Sequence, residues 1–164
     1  MPGTWVLYAI FAGVIISAVL YGVFGRNKKS SVSAKTEPSP AAAKLPAKPL
    51  RSNKTGDGIV IEVIREGDGV SCTHGDTLEV NYTGYLDDGT LVDSSKDRGK
   101  SYSFRLGKGD VIPGWDVGMK DAKPGEMRRL TIPSRFAYGE RGTAIVPPDA
   151  TMIFEIECLD IQKA

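Results

Sequence analysis

Between Val80 and Trp115 the chain sets five aromatic residues, Tyr82, Tyr85, Tyr102, Phe104 and Trp115, among polar residues that include Asp93 and Arg98. Aromatic and aliphatic walls with a few placed polar groups suit a pocket for a small apolar ligand. No nucleophile stands beside a base in this stretch. The only histidine, His74, lies near Cys72 with no third metal ligand in sight. No metal and no cofactor is therefore expected, and the chemistry has to be something an apolar enclosure does by itself.

The elements that would position these residues read as short strands. IVIEVIRE (59–66) alternates and closes on Gly67-Asp68-Gly69, and TLEVNYTGYL (77–86) puts Leu78, Val80 and Tyr82 on one face. Asp87-Asp88-Gly89 is a hairpin signal. YSFRL (102–106), EMRRLTIP (126–133) and TMIFEIECLDI (151–161) are further strands, and only Gly114 to about Lys120 suits a helix. The fold class is α+β, an antiparallel sheet with one short helix. Cys158 shares a strand face with Met152, Phe154 and Ile156, which makes it a buried, inert thiol.

Five blocks, YTGYLDDGTLVDSS, FRLGKGDVIPGWDVGM, GEMRRLTIP, FAYGERG and VPPDATMIFEIECL, resemble the FKBP-type peptidyl-prolyl cis–trans isomerases in order and spacing, from Gly56 to Gln162. The resemblance implies a sheet curled around the helix with the pocket between them. It implies an enzyme that accelerates X–Pro isomerisation by desolvating the amide and preferring its twisted form. Proline-containing client proteins and immunosuppressant macrolides such as tacrolimus and rapamycin are the implied partners. The implied catalytic set is Tyr82, Asp93, Trp115, Tyr138 and Phe154. Trp115 would be the floor beneath the proline ring, and Tyr138 would offer its hydroxyl to the peptide carbonyl, with the Ile112 backbone N–H as another donor. Asp93 would sit at the pocket edge, bonded to Tyr82 and paired with Arg98. Tyr102, Val111 and Ile112 would complete the walls, and Ile145 and Val146 would line the loop over the mouth. A non-catalytic prolyl-peptide adaptor is the alternative. It draws on one departure: Val92 stands where the family usually has an aromatic before Asp-Ser-Ser. The loop from Gly139 to Pro147 is one residue shorter than the common form, with Thr143 where a histidine often stands.

The resemblance does not reach the first fifty-odd residues. Trp5 to Phe24 is twenty residues without a charge, enough for a helix of ~30 Å across a bilayer's hydrocarbon core. A cleavable signal peptide is the rival. No basic n-region precedes Trp5, and the small residues Val32-Ser33-Ala34 lie beyond the apolar run. Residues 1–26 are read as a retained transmembrane anchor and the chain as a single-pass membrane protein. Arg26, Lys28, Lys29 and Lys35 follow the run, which places the C-terminal domain in the cytoplasm; a lumenal or extracytoplasmic domain is the alternative. Residues 27–55, rich in Pro, Ala, Ser and Lys, read as a disordered tether, and 56–164 as the isomerase domain. Residues 1–54 carry eight Lys/Arg against one acid, whereas 55–164 carry thirteen against nineteen. An acidic domain has the wrong sign for phosphate, so nucleic acid is not an expected partner.

Overall fold

Alternation in sequence becomes alternation in burial along β3 (Thr77–Leu86), where Leu78, Val80, Tyr82, Gly84 and Leu86 turn inward and their neighbours outward. The structure, a computed structural model, describes residues 48–164. The other strands among the described residues are β1 (Arg51–Lys54), β2 (Val60–Arg65), β4 (Leu91–Ser94), β5 (Tyr102–Arg105), β6 (Met127–Ile132) and β7 (Met152–Gln162), with one α-helix there, α1 (Pro113–Gly118). All pair antiparallel in the order β1-β2-β6-β7-β3-β4. On its other edge β3 pairs with β5 through Thr77–Val80 and with β4 further along, through Thr83–Tyr85.

The helix is short because its sequence both starts and stops it. Ile112, held extended at φ −59° and ψ 145° as a residue before proline must be, leads into Pro113 at the first turn. Gly114 and Gly118, one turn apart, let α1 press onto β6. A Cβ at Gly114 would overlap Ile132, and one at Gly118 would overlap Leu130. Beyond the helix, Arg128 of β6 donates to the carbonyls of Gly118 (2.7 Å) and Lys120 (2.8 Å). That buried guanidinium is balanced by buried Glu126, whose Oε1 accepts from Nε at 2.8 Å. An arginine on the inward face of a strand is thus a helix cap with its counter-ion beside it.

The expected anchor over 5–24 and the tether up to residue 47 lie outside the described residues. Among the described residues no helix is long and apolar enough to cross a membrane. The C-terminal end of the expected tether needs correction, because Arg51–Lys54 is an edge strand registered on Val60–Val63. Composition hides it. All four of its residues are exposed, so no alternation marks them, and backbone pairing holds the strand, with Arg51 paired to Glu66 at 3.3 Å. The turn that follows closes through Thr55 N–H to Ile59 O (2.9 Å) and Ile59 N–H to Thr55 Oγ1 (3.1 Å). Cys158 is buried as expected; Cys72 is buried too and donates its thiol to Met119 O at 3.0 Å. Burial pushes both thiols up, that of Cys158 to about 12.

Candidate functional site

Trp115 projects from α1 into a ring of aromatics supplied by the sheet. The centroid of Tyr82 (β3) lies 5.1 Å away, Phe154 (β7) 5.3 Å, Phe104 (β5) 5.6 Å and Tyr102 (β5) 6.3 Å. Interplanar angles of 62° to 85° make every contact edge-to-face, the favoured sense for ring quadrupoles. Trp115 is fully buried, and its indole N–H has no hydrogen-bond partner among the described residues. Gly84 makes this packing possible: a Cβ there would lie 2.7 Å from Cε1 of Phe154, its register partner across β3 and β7.

A polar network fixes one edge of the cluster. The Tyr82 hydroxyl donates to Asp93 Oδ2 at 2.6 Å and accepts from Arg98 Nη2 at 2.6 Å, while Arg98 Nη1 closes the triangle onto Asp93 Oδ1. The Ser94 N–H adds a bond to Asp93 Oδ1 at 2.8 Å. Burial first, and then the bond to Asp93, pushes the Tyr82 phenol far above its ordinary value, so it stays a donor at any working pH. Local sequence builds this edge. Gly84 pairs with Asp93 and Tyr85 with Leu91, so Val92 is the extra residue of a β-bulge that re-aims the strand just before the acid. Ser95 then bridges the gap between β4 and β5: its Oγ accepts from Tyr82 N–H (2.9 Å) and its N–H donates to Tyr82 O (3.0 Å). A tight turn, Gly99 N–H to Lys96 O at 3.0 Å, brings Arg98 back over Tyr82.

Two further segments complete the set expected from sequence. Val111 and Ile112 are buried in the approach to α1, and Tyr102 is half-buried, its phenol pushed up by burial and by Asp110. The connection between β6 and β7 carries Tyr138, Ile145 and Val146 as a separate group. Tyr138 is half-buried at the start of a 3-10 turn, Gly139–Arg141. Thr143 organises the rest. Its Oγ1 accepts from Val146 N–H (3.0 Å) and Ile145 N–H (3.3 Å), and its own N–H donates to Val146 O (2.8 Å). Gly142, at φ 60° and ψ −152°, takes a conformation open essentially to glycine alone, and a Cβ there would overlap Val146 O. The result buries Val146 and leaves Ile145 39% exposed.

Sequence reading counted Phe104 among the aromatics without giving it a role, and passed over two further contributors. Phe104 stacks on Tyr102 at 6.2 Å and abuts Trp115, and the alternation of YSFR already put the two rings on one face. Gly84 and Ser95 had no local signal, since their roles depend on a strand partner and on a gap in pairing. Among the described residues no group of three or more His, Cys, Asp or Glu could hold a metal ion.

A curled antiparallel sheet closed on one short helix, with an aromatic cluster between them, defines a class of small binding and isomerase domains. Residues 69–159 match the family model for FKBP-type peptidyl-prolyl cis-trans isomerase. An FK506-binding protein of Neisseria meningitidis serogroup B is 46% identical over 107 residues, covering 65% of this chain and 98% of that protein. FK506-binding protein 4 of Gibberella zeae is 38% identical over 139 residues, which are 85% of this chain but 28% of that longer protein. The crystal structure of FkpA from Escherichia coli superposes with a TM-score of 0.64 at 41% identity, over 69% of this chain and 52% of that one. The chain belongs to the FKBP-type peptidyl-prolyl cis–trans isomerase family, and its enzyme class is that of the family.

Proposed function

We propose that the chain accelerates cis–trans exchange at exposed X–Pro bonds of client proteins, by taking the prolyl amide out of water onto the Trp115 floor. The carrying observation is that floor: a fully buried indole with no hydrogen-bond partner, ringed by four aromatic side chains. Rotation about the amide meets a barrier of ~18–20 kcal/mol, because twisting breaks its resonance. The planar amide is dipolar and the twisted one less so. Water therefore stabilises the ground state more, and a dry aromatic enclosure removes that difference. Catalysis is then tighter binding of the twisted form, with no covalent step.

In this reading Trp115, Tyr82 and Phe154 are floor and wall, with Tyr102, Val111 and Ile112 beside them. Asp93 and Arg98 hold the edge. Tyr138 offers its hydroxyl, and Ile112 its backbone N–H, to the substrate carbonyl, while Ile145 and Val146 close the mouth. The same surface takes immunosuppressant macrolides. The apolar run over 5–24 serves as a membrane anchor, with the basic residues Arg26, Lys28, Lys29 and Lys35 keeping the domain on the cytoplasmic side. A tethered, non-catalytic prolyl-peptide adaptor is the second reading, favoured by Val92 in place of a wall aromatic.

Exchange spectroscopy on a short proline peptide with the full chain tests this. Exchange faster than the uncatalysed tens to hundreds of seconds is expected. Trp115→Leu, checked for folding by circular dichroism, lowers that acceleration and macrolide affinity together. Macrolide binding by wild type with an unaccelerated peptide overturns the enzyme and leaves the adaptor.

A further inference from the structure

The loop from Gly107 to Ile112 carries two wall residues, Val111 and Ile112, and is held by two carboxylates that no sequence signal marked. Asp110 clasps backward onto β5, accepting from Arg105 N–H (3.2 Å), Nε (3.0 Å) and Nη2 (3.2 Å). Asp116 clasps from the other side: its Oδ1 accepts from Gly107 N–H at 2.8 Å, and the Gly109 N–H also favours its ionised form. Asp116 directly follows Trp115 in α1, so its bonds tie the loop that makes the wall to the residue beside the floor. Gly107 and Gly109 sit at φ 77° and 72°, where other side chains are strained, and the Gly107 N–H is turned to this acceptor. The imidazole of His74 closes the outside, since a Cβ on Gly107 would lie 2.8 Å from its Nε2.

We propose that Asp116 is a positioning residue for the isomerase site: through Gly107 it sets the loop that places Val111 and Ile112, and it acts only as the carboxylate. An ionised carboxylate accepts the loop N–H strongly, whereas the protonated acid becomes a donor with less acceptor capacity and no charge to strengthen the bond. The groups that bear on it are His74 from the β2–β3 segment, which favours its ionised form, and Asp110, which opposes it. Arg105 of β5 pairs with Asp110, and Lys108 is exposed on the loop itself. Burial, the largest influence, raises the carboxyl above its ordinary value. Protonation therefore comes at a higher pH than for an ordinary aspartate, and with it the N–H clasp opens.

The inference rests on the isomerase reading for its effect on rate, but the clasp can be observed without any activity. On the full chain, the amide resonances of Gly107 and Gly109 are followed from pH 7 to 3.5, with kcat/KM for a proline peptide over the same range and circular dichroism as the folding control. The two amides are expected to titrate together with a midpoint above 4, the ordinary aspartate value, and kcat/KM to fall with that midpoint. Asp116→Asn should abolish both titrations and lower kcat/KM at pH 7 by about tenfold, within the hundredfold that a misplacement of 1 Å brings. Asp116→Glu should restore a titrating acid limb. A variant that melts earlier yet keeps the wild-type acid limb and rate overturns the positioning role, as do glycine amides that do not move. If the wild type lacks activity, the isomerase reading fails; the clasp is then decided by the two amides, and its effect on the wall by whether Asp116→Asn weakens macrolide binding.

Discussion

Tyr82→Phe separates what the Tyr82 ring does from what its hydroxyl does. The ring keeps its contacts with Trp115 at 5.1 Å and Phe154 at 6.5 Å, so the floor stays packed. Two bonds of 2.6 Å are lost, one to a carboxylate and one from a guanidinium. Hydrogen bonds to charged groups contribute about 1.5–3 kcal/mol each. That sum is an overestimate here. The Arg98 side chain is 34% exposed and its bond is shared with water, and Asp93 and Arg98 remain paired with each other in the variant. Neither charge is orphaned, so roughly 1.5–2.5 kcal/mol of stability should go, nearly all from the Asp93 bond. Urea unfolding followed by tryptophan fluorescence measures it, with the slope unchanged if the denatured state is unaltered. Because the wall ring survives, kcat/KM should drop by less than about tenfold, equivalent to 1.36 kcal/mol of activation free energy. A stability loss under about 0.5 kcal/mol refutes the closed triangle, because only bonds already exchanged with water are that weak. A rate loss beyond a hundredfold with stability intact refutes it differently, by making the hydroxyl a substrate contact.

Val92→Phe should tighten macrolide binding by about 0.5–1.5 kcal/mol, the scale of one added aromatic contact, roughly two- to thirteenfold in Kd by titration calorimetry. An unchanged or weaker complex means that neighbouring rings already fill that wall. Asp76 gives a test by pH. Its carboxylate accepts from Lys163 Nζ (2.8 Å), Thr73 N–H (2.8 Å) and Ala164 N–H (3.1 Å), and the Lys163 bond first, then Thr73, holds it well below the usual carboxylate range. A folded value below the unfolded one stabilises fully above about pH 4, and the contribution is lost as pH falls through the window beneath it. Lys163→Ala should therefore lower the melting temperature at pH 7 and flatten its decline between about pH 4 and 2; parallel wild-type and variant curves contradict the linkage.

Strand positions were legible wherever burial alternates, because one inward face imposes a period of two on the sequence. TLEVNYTGYL shows this, with bounds at Thr77 and Leu86 that match β3 itself. The same logic failed where no face is buried. Arg51–Lys54 has no inward residue, and β4 is four residues broken by a bulge at Val92. The aromatic inventory of the site was readable from residue type, whereas its closure, Asp93 bonded to Tyr82 and paired with Arg98, came only from the family resemblance. That Tyr82, Asp93 and Arg98 meet depends on a bulge, on the Lys96–Gly99 turn and on Ser95 occupying the gap between two strands. The carboxylates Asp110 and Asp116 were invisible for another reason. Asp116 is bonded to the backbone amide of a loop and Asp110 to an arginine five residues back on a strand, and nothing in composition distinguishes such acids from solvated ones.

Glycine placement connects these levels, because it decides how near the floor the framework can come. Gly114 and Gly118 let α1 settle on Ile132 and Leu130, and Gly84 opens the sheet surface for the Phe154 ring. Each is a residue with nothing to contribute to a pocket by itself. Together they bring the helix and two strands close enough that Trp115 is fully buried, with Tyr82 and Phe154 held edge-on to its ring. An enclosure that works by excluding water has to be dry before the substrate arrives, or the desolvation it offers is offset by its own reorganisation. The rings are fixed by packing on rigid elements, and the polar groups at the edge are bonded to one another. In the proposed mechanism this leaves for a prolyl amide a site already shaped for the less polar, twisted state.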